Sequence, residues 1–433
     1  MRVAIVALVL TVAAAAGDPS AEELALRRTA IEAQMRIGAV LEAKGDLKGA
    51  IEAYRKAAAL YKTLPKVAAP ERVAAGDAAQ IVAKALEWLS RHQDKDGRWD
   101  AGGFEKHDPA GDKCTGPGDA LYDTGVTSLA VLAFLGAGYT DRGAAKDNPY
   151  AVNVRQGLRF LMTSQAADGV VGTRATSHFM YNHALATFAL CEAYWRTRNP
   201  RYKKPAQDGL NFIAKARNPY LAWRYEVRGG DNDTSVTTWC VLALRAGKFA
   251  GLDVDPDGFT GGIGWYDKMT DAKTGRAGYN MSGGLAARPE GKQDAFPPQK
   301  TESMTAAAIF GRILCGQRPS LPIIRTGAAL CANKRPVWNE ANGAIDLYYW
   351  HYATHALRHV GGDAWKAWRR DLHKALLPTQ RTDGAHAGSW DPVGPWGSDG
   401  GRIYATAIAA LTLQVETRKD GAWGAVPVKD LAK

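Results

Sequence analysis

After its first sixteen residues, the chain of 433 residues has no apolar run that is long and uniform enough to span a bilayer. It has no long block of lysines and arginines, so its net charge of +11 does not indicate a nucleic-acid-binding element. No two of its five cysteines have the spacing of a zinc finger. We therefore expect no transmembrane segment in the mature chain, no nucleic-acid partner, no metal and no cofactor.

Residues 1–16 have the pattern of a signal peptide, in which Arg2 precedes an apolar run that ends in small residues before Gly17. The run is short for a membrane anchor, since a span needs roughly 20 apolar residues. We expect an exported protein, periplasmic or secreted. In such an oxidising compartment, Cys315 and Cys331 are candidates for a disulfide because they flank a predicted turn.

The sequence pattern predicts a hairpin of two helices over residues 17–64 and a linker over residues 65–76. The stretch from Ile37 to Leu60 resembles a tetratricopeptide hairpin. The small and aromatic residues that carry this resemblance are Gly45, Ala50, Tyr54 and Ala57. Because a single hairpin of this type cannot bury its apolar face alone, we expect it to dock on the main domain or on a partner protein.

Two segments of the main domain are near-copies: DTGVTSLAVLAFLG begins at Asp123, and DTSVTTWCVLALRA begins at Asp233. An Asp-Thr pair suits a helix N-cap, and an apolar run without a polar face suits a helix that is buried on all sides. Amphipathic segments alternate with such apolar segments about six times across 77–417. This alternation predicts an all-α closed ring with the apolar helices inside, and 418–433 form a C-terminal tail.

The turns after three amphipathic segments repeat a second motif, which begins with Gln93, Gln165 and Gln380. Each continues to an Asp-Gly pair, which favours a tight turn with a positive φ angle, and the first and last are followed by a tryptophan. We expect the glutamine amide to brace the turn and the tryptophan to cover it.

These turns, together with the Asp-Thr helices, resemble the prenyltransferase/squalene-cyclase repeat of the terpenoid cyclase and protein prenyltransferase family. The resemblance covers 77–417 and implies an α/α toroid. The stretches YNHALATFALCEAY and IDLYYWHYATHALRHVGGDAW resemble exported bacterial members of uncharacterised function.

The catalytic and zinc-binding motifs of that family are only partly present in this sequence. Squalene-type cyclases use an Asp-x-Asp-Asp-Thr motif whose middle Asp protonates the substrate, and the matching segment is 230–234. Asn232 stands at the protonating position, and an amide cannot act as this acid. A frame shifted by one residue would make Asp231 the first acid and Asp233 the proton donor, with Thr234 where the second Asp belongs. The zinc-binding prenyltransferases use Asp, Cys and His, and Asp112 and Cys114 have the Asp-x-Cys spacing, but they lie in a glycine-rich loop.

The thioester domains on the same fold need a Cys-Gly-Glu-Gln element, and the segment at Cys315 lacks the Glu. We therefore expect no thioester.

In such a ring the starts of the inner helices meet at one mouth, where we expect a ligand site. The same residue types cap helices in any helical protein, so capping alone also explains Asp123, Asp233 and Asp346. His183 beside an apolar run is typical of a core residue as well as of a ligand. The candidate mouth residues are Asp123, Asn182, His183, Asp231, Asp233, Glu302, Asp346, Tyr349, Trp350, Arg402 and Tyr404.

Two hypotheses follow. The first is an exported toroid that binds a small molecule, a glycan or a protein without isoprenoid chemistry. The alternative is an enzyme with its site at the mouth: a divergent terpene cyclase or prenyltransferase-like protein, or a carbohydrate-active lyase or hydrolase. In the carbohydrate case, His183 with Tyr181, or Asp233 with Glu302, would do the acid–base work.

The long polar segments 100–121 and 270–300 interrupt the ring. Segments of this length are typical of lids and binding loops.

Overall fold

The computed structural model describes residues 44–62, 78–144 and 146–418, together with Ala30 and a few positions between 33 and 41. The predicted signal peptide, the predicted linker and nearly all of the C-terminal tail lie outside these residues. The chain divides into two compact units, Met1–Glu71 and Arg72–Lys433.

The first unit contains helix α1, Leu47–Lys62. Gly45 precedes it with a φ of +78°, and the Asp46 carboxylate caps it by accepting the N–H of Gly49 at 3.0 Å. A Cβ on Gly38 would lie 2.4 Å from Cε1 of Tyr54, so only glycine allows this close approach.

The described residues of the second unit form twelve α-helices and no β-sheet, only two isolated bridges. The predicted all-α toroid is thereby confirmed. The helices are α2 (Ala78–Arg91), α3 (Asp123–Gly136), α4 (Ala151–Thr163), α5 (Phe179–Thr197), α6 (Pro200–Ala216), α7 (Thr234–Ala250), α8 (Asp257–Met269), α9 (Ser303–Leu314), α10 (Pro322–Ala332), α11 (Leu347–Val360), α12 (Gly362–Leu376) and α13 (Gly397–Leu413).

The odd-numbered helices α3 to α13 form an inner ring. Each packs against the next, and α13 packs back against α3, so the ring is closed. The even-numbered helices α2 to α12 lie outside them. Every residue of α3 is buried, as its uniform apolar sequence requires, whereas α2 buries only one face.

The glutamine turns connect neighbouring outer helices. The Gln93 amide donates to the Gly97 carbonyl at 2.9 Å and to a carbonyl of α4 at 3.0 Å. Gln165 makes the equivalent pair of bonds to Gly169 and to α6. Gln380 donates to the carbonyls of Gly388, rather than Gly384, and of Ile81 in α2, and so joins the last repeat to the first.

The tryptophans cover these turns as predicted. The indole N–H of Trp99 donates to the Leu89 carbonyl at 2.7 Å, at the C-terminal end of α2. Trp390 makes the same bond to Leu376 at 3.0 Å, and Trp223 makes it to Ile213 at 2.7 Å in a turn that has no glutamine motif. Each indole thereby satisfies a carbonyl that the helix itself leaves unpaired.

We expect Gln380→Leu to lower the free energy of unfolding by about 2–4 kcal/mol, because two buried carbonyls lose their donor. Gln165→Leu is the matched control; its side chain is only half-buried, so water can replace the amide and the loss should be smaller. Urea unfolding of both variants measures this. Equal losses would contradict a special role for the bond that closes the ring.

Candidate ligand site

The starts of the inner helices surround a cavity of about 380 Å³. We call it the tyrosine cavity because six tyrosines line it. Its volume falls within the range of about 300–1,000 Å³ that is usual for small-molecule sites. The lining residues are Tyr122, Gly125, Val126, Leu129, His178, Tyr181, Asn182, Leu185, Tyr225, Ser235, Trp239, Tyr279, Ala287, Arg288, Pro289, Glu290, Met304, Tyr348, Trp396, Asp399, Gly400 and Tyr404.

Apolar side chains from four inner helices contribute to this lining. They are Val126 and Leu129 of α3, Leu185 of α5, Trp239 of α7 and Met304 of α9. All five are buried. When an apolar ligand covers apolar surface of this kind, binding is favoured by about 25 cal/mol for each Å² that is removed from water.

Two polar atoms on the lining residues have no hydrogen-bond partner among the described residues: the Tyr404 hydroxyl and the Trp396 indole N–H. Both atoms are buried from solvent and so do not face the open space of the cavity.

The segment 270–302 contributes a wall of the cavity. Its first part folds back through an antiparallel bridge between Thr270 and Ala277, and Ala287 to Glu290 line the cavity. Arg288 fixes this wall: its guanidinium donates to the Phe296 carbonyl at 3.0 Å and lies 3.2 Å from the Asp346 carboxylate. This segment therefore contributes residues to the cavity lining.

His178 and Asp399 are two titratable residues on the lining that interact electrostatically. The His178 Nδ1 lies 3.2 Å from the Ser177 hydroxyl, and its ring packs edge-on against Tyr225 at 4.2 Å. Burial lowers the pKa of His178, although the nearby Asp399 partly opposes this shift. Burial likewise raises the pKa of Asp399. Burial thus disfavours the charged form of both groups.

Asp233 lies behind the wall of the cavity. Its side chain is fully buried, and its Oδ1 caps α7 by accepting the N–H of Val236 at 2.7 Å. Its Oδ2 has no hydrogen-bond partner among the described residues, and the Arg224 Nε is 3.8 Å away. Burial raises the pKa of Asp233 to about 7, partly offset by its cap bond, by Arg224 and by the Tyr279 hydroxyl.

Tyr279 and Tyr225 lie between this carboxyl and the cavity. Their hydroxyls share a short hydrogen bond, and both rings line the cavity. Arg224 stacks its guanidinium over the rings of Tyr225 and Tyr279 at 4.9 and 5.6 Å.

Only Asn182 and Tyr404 of the predicted mouth residues line the cavity. The Asn182 amide donates to the Leu121 carbonyl at 2.8 Å, which fixes its position on the wall. Asp346 lies one contact away, since it caps α11 through the Tyr349 N–H at 3.0 Å and pairs with the lining residue Arg288.

His183 does not line the cavity, and its position agrees with the alternative of a core residue, because the side chain is fully buried and braces the preceding turn. Its Nδ1 accepts the N–H of Val171 at 3.0 Å, and its Nε2 donates to the Gly209 carbonyl at 3.2 Å. Thr127 does the same for the N–H of Trp99 at 2.8 Å. His183 therefore replaces a threonine of the repeat, and burial lowers its pKa to about 3.

Three predicted acids also lie away from the cavity. Asp123 accepts the N–H of Ala101 at 2.9 Å, and burial raises its pKa to about 6. Glu302 forms a two-pronged ion pair with Arg276 at 3.0 and 2.7 Å. Asp231 is largely exposed and pairs with Arg224.

The other three side chains, Tyr349, Trp350 and Arg402, are buried outside the cavity lining. The Tyr349 hydroxyl donates to the Cys331 carbonyl at 2.9 Å, and Trp350 packs against Trp338. Arg402 holds segment 100–121 by donating to the Thr115 carbonyl at 2.7 Å. None of these three contacts a ligand placed in the cavity.

The candidate disulfide is not formed, since all five cysteines are free thiols. Among the described helices, none is both long and apolar enough to cross a membrane.

The folded chain holds the Asp233 proton in a pH range where the unfolded chain, with a pKa near 3.8, has released it. The contribution of this retained proton to the free energy of unfolding is therefore fully present below about pH 4, and it is lost as the pH rises through 7. Asp233→Asn keeps the cap but cannot ionise. We expect the free energy of unfolding of the Asp233→Asn variant, relative to that of wild type, to rise by about 2 kcal/mol between pH 5 and 8.

Denaturant unfolding at several pH values measures this difference, with the exposed Asp147→Asn as a control that should show no trend. A pH-independent difference for Asp233→Asn would contradict the raised pKa.

No protein-family model matches the chain, and no curated protein matches it significantly. Several solved structures are similar in fold, at low sequence identity. The alpha-1,6-mannanase GH76A of Salegentibacter sp. HEL1_6 has a TM-score of 0.51 at 9% identity, covering 79% of this chain and 100% of that chain. The type II terpene cyclase MstE from Scytonema has a TM-score of 0.50 at 13% identity, covering 80% and 99%.

An alpha-amylase from Clostridium perfringens has a TM-score of 0.50 at 12% identity, covering 79% of this chain and 99% of that chain. At these identities the likeness concerns the fold alone. Together these structures place the second unit among the α/α toroids.

Proposed function

We propose that the protein is an enzyme that binds a largely apolar organic substrate in the tyrosine cavity and acts on it by acid–base chemistry. The observation that carries the proposal is the placement of His178 and Asp399 on a cavity whose lining is otherwise mainly aromatic and aliphatic. The proposal favours catalysis over the simple ligand-binding module that the sequence suggested first.

The lining supports an apolar substrate, such as an isoprenoid. Aliphatic side chains and the rings of Trp239 and Trp396 offer mainly apolar contact, and aromatic faces also stabilise positive charge that develops during a reaction. The resemblance of the turns to the squalene-cyclase repeat agrees with this class of substrate.

The acid in this proposal is Asp399. Its raised pKa lets the carboxyl keep a proton to higher pH than a solvated aspartate does, and a general acid works best when its pKa is near the working pH. His178, whose pKa is lowered, is neutral at pH 7 and serves as the base. The pair thus offers a donor and an acceptor at one wall of the cavity.

The acid of the squalene-type cyclases does not carry over to this chain. Asn232 occupies that position, and its side-chain oxygen accepts from the Ala222 N–H and the Asn218 amide, both at 3.1 Å. It thus fixes the loop before α7. Asp233, although its pKa is about 7, is screened from the cavity by Tyr279.

A second candidate function is hydrolysis of a saccharide. Two carboxylates, Glu290 and Asp399, line the cavity, and glycosidases generally use a pair of carboxylates. One of the similar mannanase structures is described as an inactive variant, with two aspartates replaced by asparagine, in complex with alpha-1,6-mannotriose. Tyrosine and tryptophan faces also suit sugar rings.

The test incubates the purified protein with a panel of linear isoprenoids and a panel of oligosaccharides, with product detection by mass spectrometry. Binding is followed separately by the fluorescence of Trp239 and Trp396, which line the cavity. We expect turnover of isoprenoids, and we expect Asp399→Asn to lower it by about 10²–10⁴-fold while the dissociation constant changes little.

The exposed Asp147→Asn is the matched control and should retain full turnover. Turnover only of oligosaccharides, with loss in Glu290→Gln as well as in Asp399→Asn, would select the second candidate. Full activity in Asp399→Asn would rule out Asp399 as the acid in both the isoprenoid and the saccharide reaction.

A further inference from the structure

A second cluster of reactive side chains lies outside the tyrosine cavity, beneath segment 100–121. His92 directly follows the end of α2, while Asp108 and Cys114 belong to the segment. All three residues are buried, and one ligand atom from each lies within 4.8 Å of the other two. None of the three is among the residues that line the cavity.

The hydrogen bonds of His92 fix its tautomer. The Nδ1 lies 2.7 Å from the Trp88 carbonyl oxygen, which can only accept, so Nδ1 carries a proton. In a neutral ring, Nε2 is then a bare acceptor, yet it lies 2.8 Å from the Asp108 carboxylate. Two acceptors at this distance need a proton or a cation between them.

The Cys114 sulfur approaches the same point. It lies 4.0 Å from His92 Nε2, while the Cys114 N–H donates to the other Asp108 oxygen at 2.8 Å. Around a tetrahedral zinc ion, ligand atoms are roughly 3.3–3.8 Å apart. These two separations lie on either side of this range, and the third pair of ligand atoms lies within 4.8 Å, so shifts of about 0.5–1 Å would bring all three atoms to bonding distance.

We propose that His92, Asp108 and Cys114 form a binding site for Zn²⁺, with a fourth position open to water. Imidazole, thiolate and carboxylate are the three ligand types that zinc takes in proteins. The Nδ1 bond to the Trp88 carbonyl is the usual support for a histidine ligand, since it directs Nε2 at the metal.

The surroundings hold these ligands in place. The His92 ring stacks on Trp88 at 4.0 Å and meets the edge of Phe104 at 5.8 Å.

Burial, followed by the smaller effect of Asp108, raises the pKa of the Cys114 thiol to about 12, and a bound cation displaces the thiol proton. The nearby charge of Arg402 is balanced by Asp391 at 2.6 Å.

The glycine-rich loop thus supplies a cysteine ligand, but with a different aspartate from the one that the sequence spacing suggested. Asp112, two residues before Cys114, accepts the N–H of Ala385 and lies outside the cluster. The metal would fasten segment 100–121 to the end of α2. The same segment contacts the cavity wall, since the Asp119 N–H donates to the Asp399 carbonyl at 2.8 Å.

The test adds Zn²⁺ or Co²⁺ to the purified, metal-stripped full chain. We expect one equivalent of zinc to bind and to raise the melting temperature, and we expect Co²⁺ to give a sulfur-to-cobalt charge-transfer band. Cys114→Ser should remove the band and weaken zinc binding by at least about 100-fold, more than losing a ligand's hydrogen-bond partner costs. Cys315→Ser, at a half-buried thiol outside the cluster, should change neither.

The cobalt spectrum of the wild-type chain keeps the test valid if Cys114→Ser fails to fold. No stoichiometric zinc and no charge-transfer band would show that only a proton joins His92 to Asp108. Binding that survives in Cys114→Ser but is lost in Cys315→Ser would place the metal elsewhere. Either result overturns the proposal, and neither depends on the substrate of the tyrosine cavity.

Discussion

The inner helices have no polar face, and the rest of the structure depends on this constraint. A helix such as α3, with every residue buried, must be covered on all sides, and a closed ring of inner helices with outer helices around it meets that need. The polar starts of these helices then meet at one mouth. Capping therefore explains most of the polar residues there, and a cavity remains where side chains do not fill the centre.

The sequence was sufficient for the fold, because its signals are local and repeated. Asp233 caps its helix, and Gln93 braces its turn, through contacts with near neighbours that the spacing itself specifies. One detail was not predicted: the Gln380 amide donates to the Gly388 carbonyl and not to that of Gly384, because the last turn contains four additional residues before its glycine. Without the spatial path of the loop, the spacing could not show which glycine would be used.

A cavity lies at the predicted mouth, but only two of the predicted residues line it, because the direction of a side chain at a helix start depends on packing across the ring. Tyr348 faces the cavity while the adjacent Tyr349 donates to the Cys331 carbonyl on the outer side. His178 and Tyr225 lie in loops, where no periodicity indicates a direction. His183 took the position of a threonine, and comparison with Thr127 in the aligned repeat was the one signal that could have revealed its structural role.

The proposed function requires the tyrosine cavity to hold a largely apolar organic molecule. Denaturing solvent extraction of the purified protein, followed by mass spectrometry, tests it most directly when wild type is compared with Leu129→Trp, which fills the cavity from its buried wall. We expect wild type to release an apolar organic compound, or to retain one after loading with the isoprenoid panel, and we expect the variant to lose it. Equal retention by both proteins, or none by wild type after loading, would contradict it.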